Sequence, residues 1–226
     1  MNKTNTENRY VRILSTGVHL EGILSVPDDA KGLVVFVHGS GSSRNSPRNQ
    51  YVAQTLQEGG LATLLFDLLT ASEEEIDLRT RHLRFDIDLL ARRTSGVLEW
   101  LDLQPFAQGL KRGLFGSSTG AAGALMTAAE LPQKVAAIVS RGGRPDLAGS
   151  ALPKVQAPTL LIIGGNDEEV IHLNERALAQ MQPGQEKKMM IVPGASHLFE
   201  EPGTLEYVAR LATNWFQTHL SAVHVR

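Results

Sequence analysis

The run Gly32-Leu33-Val34-Val35-Phe36-Val37 restricts this chain more than any other segment. It is continuously apolar, too short for a helix and rich in β-branched residues, which suits a strand covered on both faces. Strands of that kind belong to parallel sheets with helices packed against each side. The segments that follow keep the corresponding rhythm. Helical patterns run from about Pro47 to Glu58, within Leu83 to Leu103, from Ser118 to Glu130, from Val170 to Met181 and from Pro202 to His219. Strand patterns cover Ala62 to Phe66, Gly113 to Gly116, Val135 to Ser140, Thr159 to Ile163 and Lys188 to Val192. Ahead of them, Tyr10 to Ser15 and Val18 to Val26 flank Thr16-Gly17 and read as an antiparallel hairpin. The expectation is an α/β architecture, a mostly parallel, doubly wound sheet of eight strands.

Length and composition fit that architecture. The 226 residues suit one domain spanning 1–226, and 42% hydrophobic with 20% charged residues is ordinary for a packed globular chain. No repeat, low-complexity tract or linker divides it. Two segments read as irregular, Leu68 to Arg81 and Arg141 to Pro158. Both follow strands, where loops at the carboxyl ends of a doubly wound sheet line the ligand crevice. A net charge of −2, a pI near 6.4 and scattered Lys and Arg argue against a nucleic-acid partner. The polar start Met1 to Arg9 and the absence of any window of roughly 20 apolar residues point to a cytoplasmic protein with no membrane partner. With no cysteine, thiolate metal sites, disulfides and a cysteine nucleophile are excluded.

The chemistry concentrates in Gly116-Ser117-Ser118-Thr119-Gly120, a G-x-S-x-G between a strand pattern and an Ala-rich helical one. A serine on that tight turn exposes its hydroxyl, and side chains in place of the glycines would collide with neighbouring backbone. Ser118 is therefore the candidate nucleophile. A serine hydroxyl needs a base, usually a histidine held by a carboxylate. Asp167 follows the seventh strand in Gly164-Gly165-Asn166-Asp167, and His197 follows the eighth in Gly194-Ala195-Ser196-His197. Their order and strand-end placement complete a Ser-Asp-His constellation. Taken alone, Asp167 also reads as a helix cap and His197 as a structural histidine; Glu168, Glu169 and Asp146 compete for the role of acid.

An oxyanion would take the Thr119 N–H and, from the turn His38-Gly39-Ser40-Gly41, the Ser40 N–H. His38 itself reads as a buried structural histidine. Gly39-x-Gly41 lacks the third glycine of a dinucleotide fingerprint, since Arg44 stands there, and the remaining histidines form no metal-binding spacing. No cofactor and no metal are expected. Arg141 to Asp146 and Arg44 to Arg48 lie on loops near the expected pocket mouth, and their arginines, Arg48 and Arg144 first among them, are candidates for binding a carboxylate or phosphate on the substrate, with surface salt bridging as the competing reading.

The turn HGSG, the elbow GSSTG, the acid loop GGNDEEV and the histidine loop VPGASHLFEEPG resemble the α/β-hydrolase superfamily, and within it the dienelactone hydrolase family, from about Arg9 to Leu220. The resemblance implies an eight-stranded sheet, a pocket at the strand carboxyl ends and hydrolysis through an acyl-enzyme. In one respect the chain departs from that family, whose namesake enzymes use a cysteine where this chain has Ser118. That makes it similar to the family's carboxylesterase-like relatives. No segment is long enough for a large helical cap. The resulting expectation is a serine hydrolase of a small carboxylic ester, thioester or lactone, acting as a monomer or homodimer. A peptidase or acyltransferase with the same triad, or a non-catalytic ligand-binding module, stays open.

Overall fold

A computed structural model describes residues 7–221; residues 1–6 and 222–226, including His224, lie outside the described residues. Eight strands form one sheet in the order β1-β2-β4-β3-β5-β6-β7-β8. The hairpin β1 (Asn8–Ser15) and β2 (Val18–Ser25) is antiparallel, and β2 also meets β4 (Ala62–Phe66) antiparallel. The remaining neighbours, β3 (Leu33–Val37), β5 (Arg112–Ser117), β6 (Ala137–Arg141), β7 (Thr159–Gly164) and β8 (Lys187–Val192), are joined in parallel.

Period-two alternation sorts each strand between the two faces. Leu33, Val35 and Val37 of β3 join one core cluster with α3 (Ile87–Asp102) and α4 (Thr119–Glu130). Val34 and Phe36 join the other with α1 (Pro47–Glu58) and α6 (Thr204–Leu220). The continuous apolar reading of Gly32 to Val37 thus corresponds to a strand with every residue from Leu33 to Val37 buried. At the far edge, β8 is only partly covered: of its six residues Val192 alone is buried, and Lys187 and Lys188 begin the strand. Lysines on an open edge discourage pairing with another chain. Among the described residues, no helix is long and apolar enough to cross a membrane.

Both segments that read as irregular carry helical structure. Leu68 to Arg81 contains α2 (Ala71–Thr80), and Arg141 to Pro158 contains a 3-10 helix over Pro145–Lys154 that kinks at Gly149. The α2 helix is started by a capping box: the Glu73 N–H donates to the Thr70 hydroxyl, and the Thr70 N–H donates to the Glu73 carboxylate at 2.8 Å. It is closed by Asp77, which is buried and accepts hydrogen bonds from the N–H groups of Leu83 and Arg84 and from Arg84 Nε at 2.5 Å. Elsewhere the boundaries shift by a residue or two, as at α5 (Glu168–Gln180) and α6.

Candidate active site

Ser118 stands between β5 and α4 with φ 49° and ψ −125°, a backbone conformation that side-chain-bearing residues avoid. The flanking glycines are required by contact. A Cβ on Gly120 would lie 2.1 Å from the Val37 carbonyl oxygen, and one on Gly116 would lie 2.4 Å from the Ala121 Cα. The elbow is therefore pressed between β3 and the first turn of α4. It is tied to the next strand as well: the Ser118 N–H donates to the Arg141 carbonyl at 3.4 Å, and the Ser118 carbonyl accepts from the Arg144 N–H at 3.0 Å.

Asp167 and His197 are brought together. His197 Nδ1 lies 2.6 Å from Asp167 Oδ2, on a histidine side chain 40% exposed and a carboxylate 16% exposed. A carboxylate only accepts, so Nδ1 carries the proton and Nε2 is left free to take one. The imidazole lies over the end of β6, because a Cβ on Gly142 would be 3.6 Å from His197 Cε1. Gly142 follows Arg141, whose carbonyl holds the Ser118 N–H, so base and elbow share one strand end. Among the described residues no hydrogen bond joins Ser118 to His197; in ligand-free enzymes such bonds commonly tighten only with substrate bound. Asp146, a competing acid by sequence, is instead held by Arg144 Nε and Nη2 at 2.9 and 2.8 Å.

Ser40 and Thr119 also meet, in a way the sequence does not anticipate. The Ser40 N–H, expected to be a free donor, donates to Thr119 Oγ1 at 3.1 Å, and the two hydroxyls lie 2.9 Å apart. An oxyanion would have to share that N–H with the Thr119 hydroxyl. The Thr119 N–H, first of α4, has no acceptor among the described residues and is the unencumbered donor. Ser40 Oγ further donates to the Arg84 carbonyl at 3.1 Å, which links this turn to the segment after α2. An open cleft lies along the turn, lined by His38, Gly39, Ser40, Gly41, Asp67 and Arg84 among others. His38 is buried; its Nε2 accepts from the Leu68 N–H at 3.0 Å and its Nδ1 donates to the Gly39 carbonyl at 2.9 Å. Burial pushes its pKa below the ordinary value, keeping it neutral and structural.

The two candidate substrate arginines are engaged in ion pairs. Arg48 Nη1 lies 3.1 Å from Glu200, and Arg144 is bound to Asp146. This matches the salt-bridging alternative for Arg144 in particular. Two features escape a reading of sequence alone. Glu201 accepts the Ser196 N–H at 3.0 Å and braces the histidine loop. Phe199, buried with φ 57°, anchors the same loop in the core. Arg141, which the sequence places at the start of a loop near the pocket mouth, is instead the buried last residue of β6. No three His, Cys, Asp or Glu side chains among the described residues are grouped as a metal would need.

Comparison with known proteins places this geometry. The dienelactone hydrolase family model matches residues 20–223. A dienelactone hydrolase from Anabaena variabilis, solved as a crystal structure, is 59% identical, with a TM-score of 0.93 over 95% of this chain and 99% of that one. Est1E from Butyrivibrio proteoclasticus is 17% identical with a TM-score of 0.76, covering 92% of this chain and 98% of its own, and shares the fold. A Mycobacterium tuberculosis protein provisionally named a phosphoribosyl transferase is 55% identical over 210 residues, which are 93% of this chain but 46% of that protein. The chain thus spans about half the length of the curated relatives it matches. With its α/β-hydrolase sheet, no large cap among the described residues, and a family model covering nearly all of it, this chain belongs to the dienelactone hydrolase family.

Proposed function

We propose that the protein is a serine hydrolase that cleaves a small carboxylic ester, thioester or lactone through an acyl-enzyme on Ser118. The observation that carries this reading is the 2.6 Å bond from His197 Nδ1 to Asp167, which leaves Nε2 as a proton acceptor at the strand end that holds Ser118. Ser118 Oγ attacks the substrate carbonyl carbon as its proton passes to His197 Nε2, forming a tetrahedral intermediate. The negative oxygen is held by the Thr119 N–H and by the Ser40 N–H shared with the Thr119 hydroxyl. Collapse breaks the ester bond, and the alcohol or thiol leaves with the proton from His197. A water then gives its proton to His197, attacks the acyl carbon, and releases the acid as Ser118 regains its proton.

The transferase name of the half-matching relatives belongs to proteins about twice this length. A fluorophosphonate probe, read by intact mass, tests the proposal. One adduct is expected on the wild type and none on Ser118→Ala. A folded wild type that takes no adduct would sink the serine-hydrolase reading in favour of a ligand-binding module.

A further inference from the structure

Arg141, the last residue of β6, is 7% exposed, and its guanidinium has no carboxylate partner among the described residues. Its Nε and Nη1 are buried without any hydrogen bond, and its Nη2 makes one long contact, 3.4 Å to Asn49 Oδ1. A buried charge left in that condition is costly, and the usual resolution is a ligand, ion or water that satisfies it. Burial, aided by the neighbouring Arg48 charge, lowers its pKa to about 10, so it remains a cation at neutral pH.

Arg141 is aimed at the start of a helix. Asn49 is the third residue of α1, a helix of 12 residues capped by the Ser46 hydroxyl. Pro47 has no N–H, and the Arg48 N–H has no acceptor among the described residues. That end of the helix therefore favours negative charge. The Arg48 side chain, 36% exposed, adds a second guanidinium, held among the described residues by the 63% exposed Glu200 alone. Two cations and a helix N-terminus face a single carboxylate, leaving the cluster one positive charge in excess. The Arg141 carbonyl accepts the Ser118 N–H, so the strand end that carries this guanidinium also holds the proposed nucleophile.

We propose that Arg141, Arg48 and the first turn of α1 form a subsite for a phosphate monoester group carried by the ester substrate. A phosphate brings close to two negative charges and three acceptor oxygens, which match two guanidinium forks and a free backbone N–H. One carboxylate would match a single fork. Glu200 holds Arg48 in the free protein and gives way when phosphate binds. This inference rests on the serine-hydrolase reading only for the identity of the ligand as substrate.

Thermal melts with inorganic phosphate against chloride at equal ionic strength test the subsite apart from the chemistry. Phosphate is expected to raise the melting temperature of wild type and Ser118→Ala alike, and to lose that effect in Arg141→Met and Arg48→Gln. The second measurement is the ratio of kcat/KM for 1-acetylglycerol 3-phosphate to that for 1-acetylglycerol. Arg48→Gln, a change on a 36% exposed side chain, is expected to lower the ratio about tenfold, the value of one charge-assisted hydrogen bond. Cleavage of both esters with the same ratio in wild type and Arg48→Gln would overturn the subsite and leave the hydrolase reading standing. Phosphate stabilisation that disappears in Arg48→Gln, with neither ester cleaved and no fluorophosphonate adduct on Ser118, would uphold the subsite and overturn the hydrolase reading. No phosphate effect on the melting of any form would overturn the subsite.

Discussion

Ser118 pays for its exposed hydroxyl with a backbone at φ 49° and ψ −125°. Strain of that kind costs about 1–3 kcal/mol for a residue with a Cβ and far less for glycine. Glycine loses part of the advantage by loosening the unfolded chain, about 0.4–1 kcal/mol. Ser118→Gly is therefore expected to be about 1 kcal/mol more stable than Ser118→Ala in urea denaturation, although both lack the nucleophile; equal stabilities would show that the elbow is unstrained. The position of Ser118 is legible in sequence because Gly116 and Gly120 are dictated by backbone contacts that any such elbow must make. Asp167 and His197 are legible for a similar reason, each one loop beyond a strand end. The state of the arginines is not. Arg48, Arg141 and Arg144 sit on comparable segments of sequence, and only the packing of α1 against the end of β6 separates the buried, unpaired one from the two that find carboxylates.

At the scale of the element, α2 is the part of the fold that sequence periodicity misses. Its apolar residues, Ile76 and Leu78, are 44% and 67% exposed, so no buried stripe marks it as a helix. What holds it is polar and local, the Thr70–Glu73 capping box at one end and Asp77 at the other. Burial alone would raise the Asp77 pKa, but the Arg84 guanidinium and the N–H groups of Arg84 and Leu83 outweigh that and hold it below the ordinary carboxylate value. Removing one partner of a buried pair leaves the other charge uncompensated, a loss of about 3 kcal/mol. Asp77→Asn is expected to destabilise the protein by that amount in urea. Because the Arg84 carbonyl accepts from Ser40 Oγ, it should also lower kcat for ester cleavage. Unchanged kcat would mean that the Ser40 turn is held without help from this segment.

For the whole molecule, the sheet and its two helical layers follow from alternation visible in strands such as Leu33–Val37, where successive residues enter opposite cores. Strand order is not written in that alternation. The exchange of β3 and β4 relative to chain order depends on crossovers that only the assembled sheet defines. Stability as a function of pH is likewise a property of the whole. Burial lowers the pKa of His38 and of His219 below the ordinary 6.5. Between their folded values and 6.5 the unfolded chain binds more protons, so their contribution is fully present above 6.5 and is lost as pH falls through the folded values. Urea midpoints are expected to drop from pH 7.5 to pH 5.5, and to drop less in His38→Gln, whose amide can replace the bond to Leu68. An equal drop in the variant would place the sensitivity elsewhere.

The thinly covered strand β8 has a further consequence. His197 hangs from the last strand of the sheet, an edge strand with one buried residue, while Ser118 hangs from β5 in its middle. Edge strands open at lower cost than central ones. Fraying of β8 would carry the base away from the nucleophile while the central strands and their helices stay folded. Heat would then silence the enzyme before it unfolds it, and cooling would restore activity without any refolding of the core.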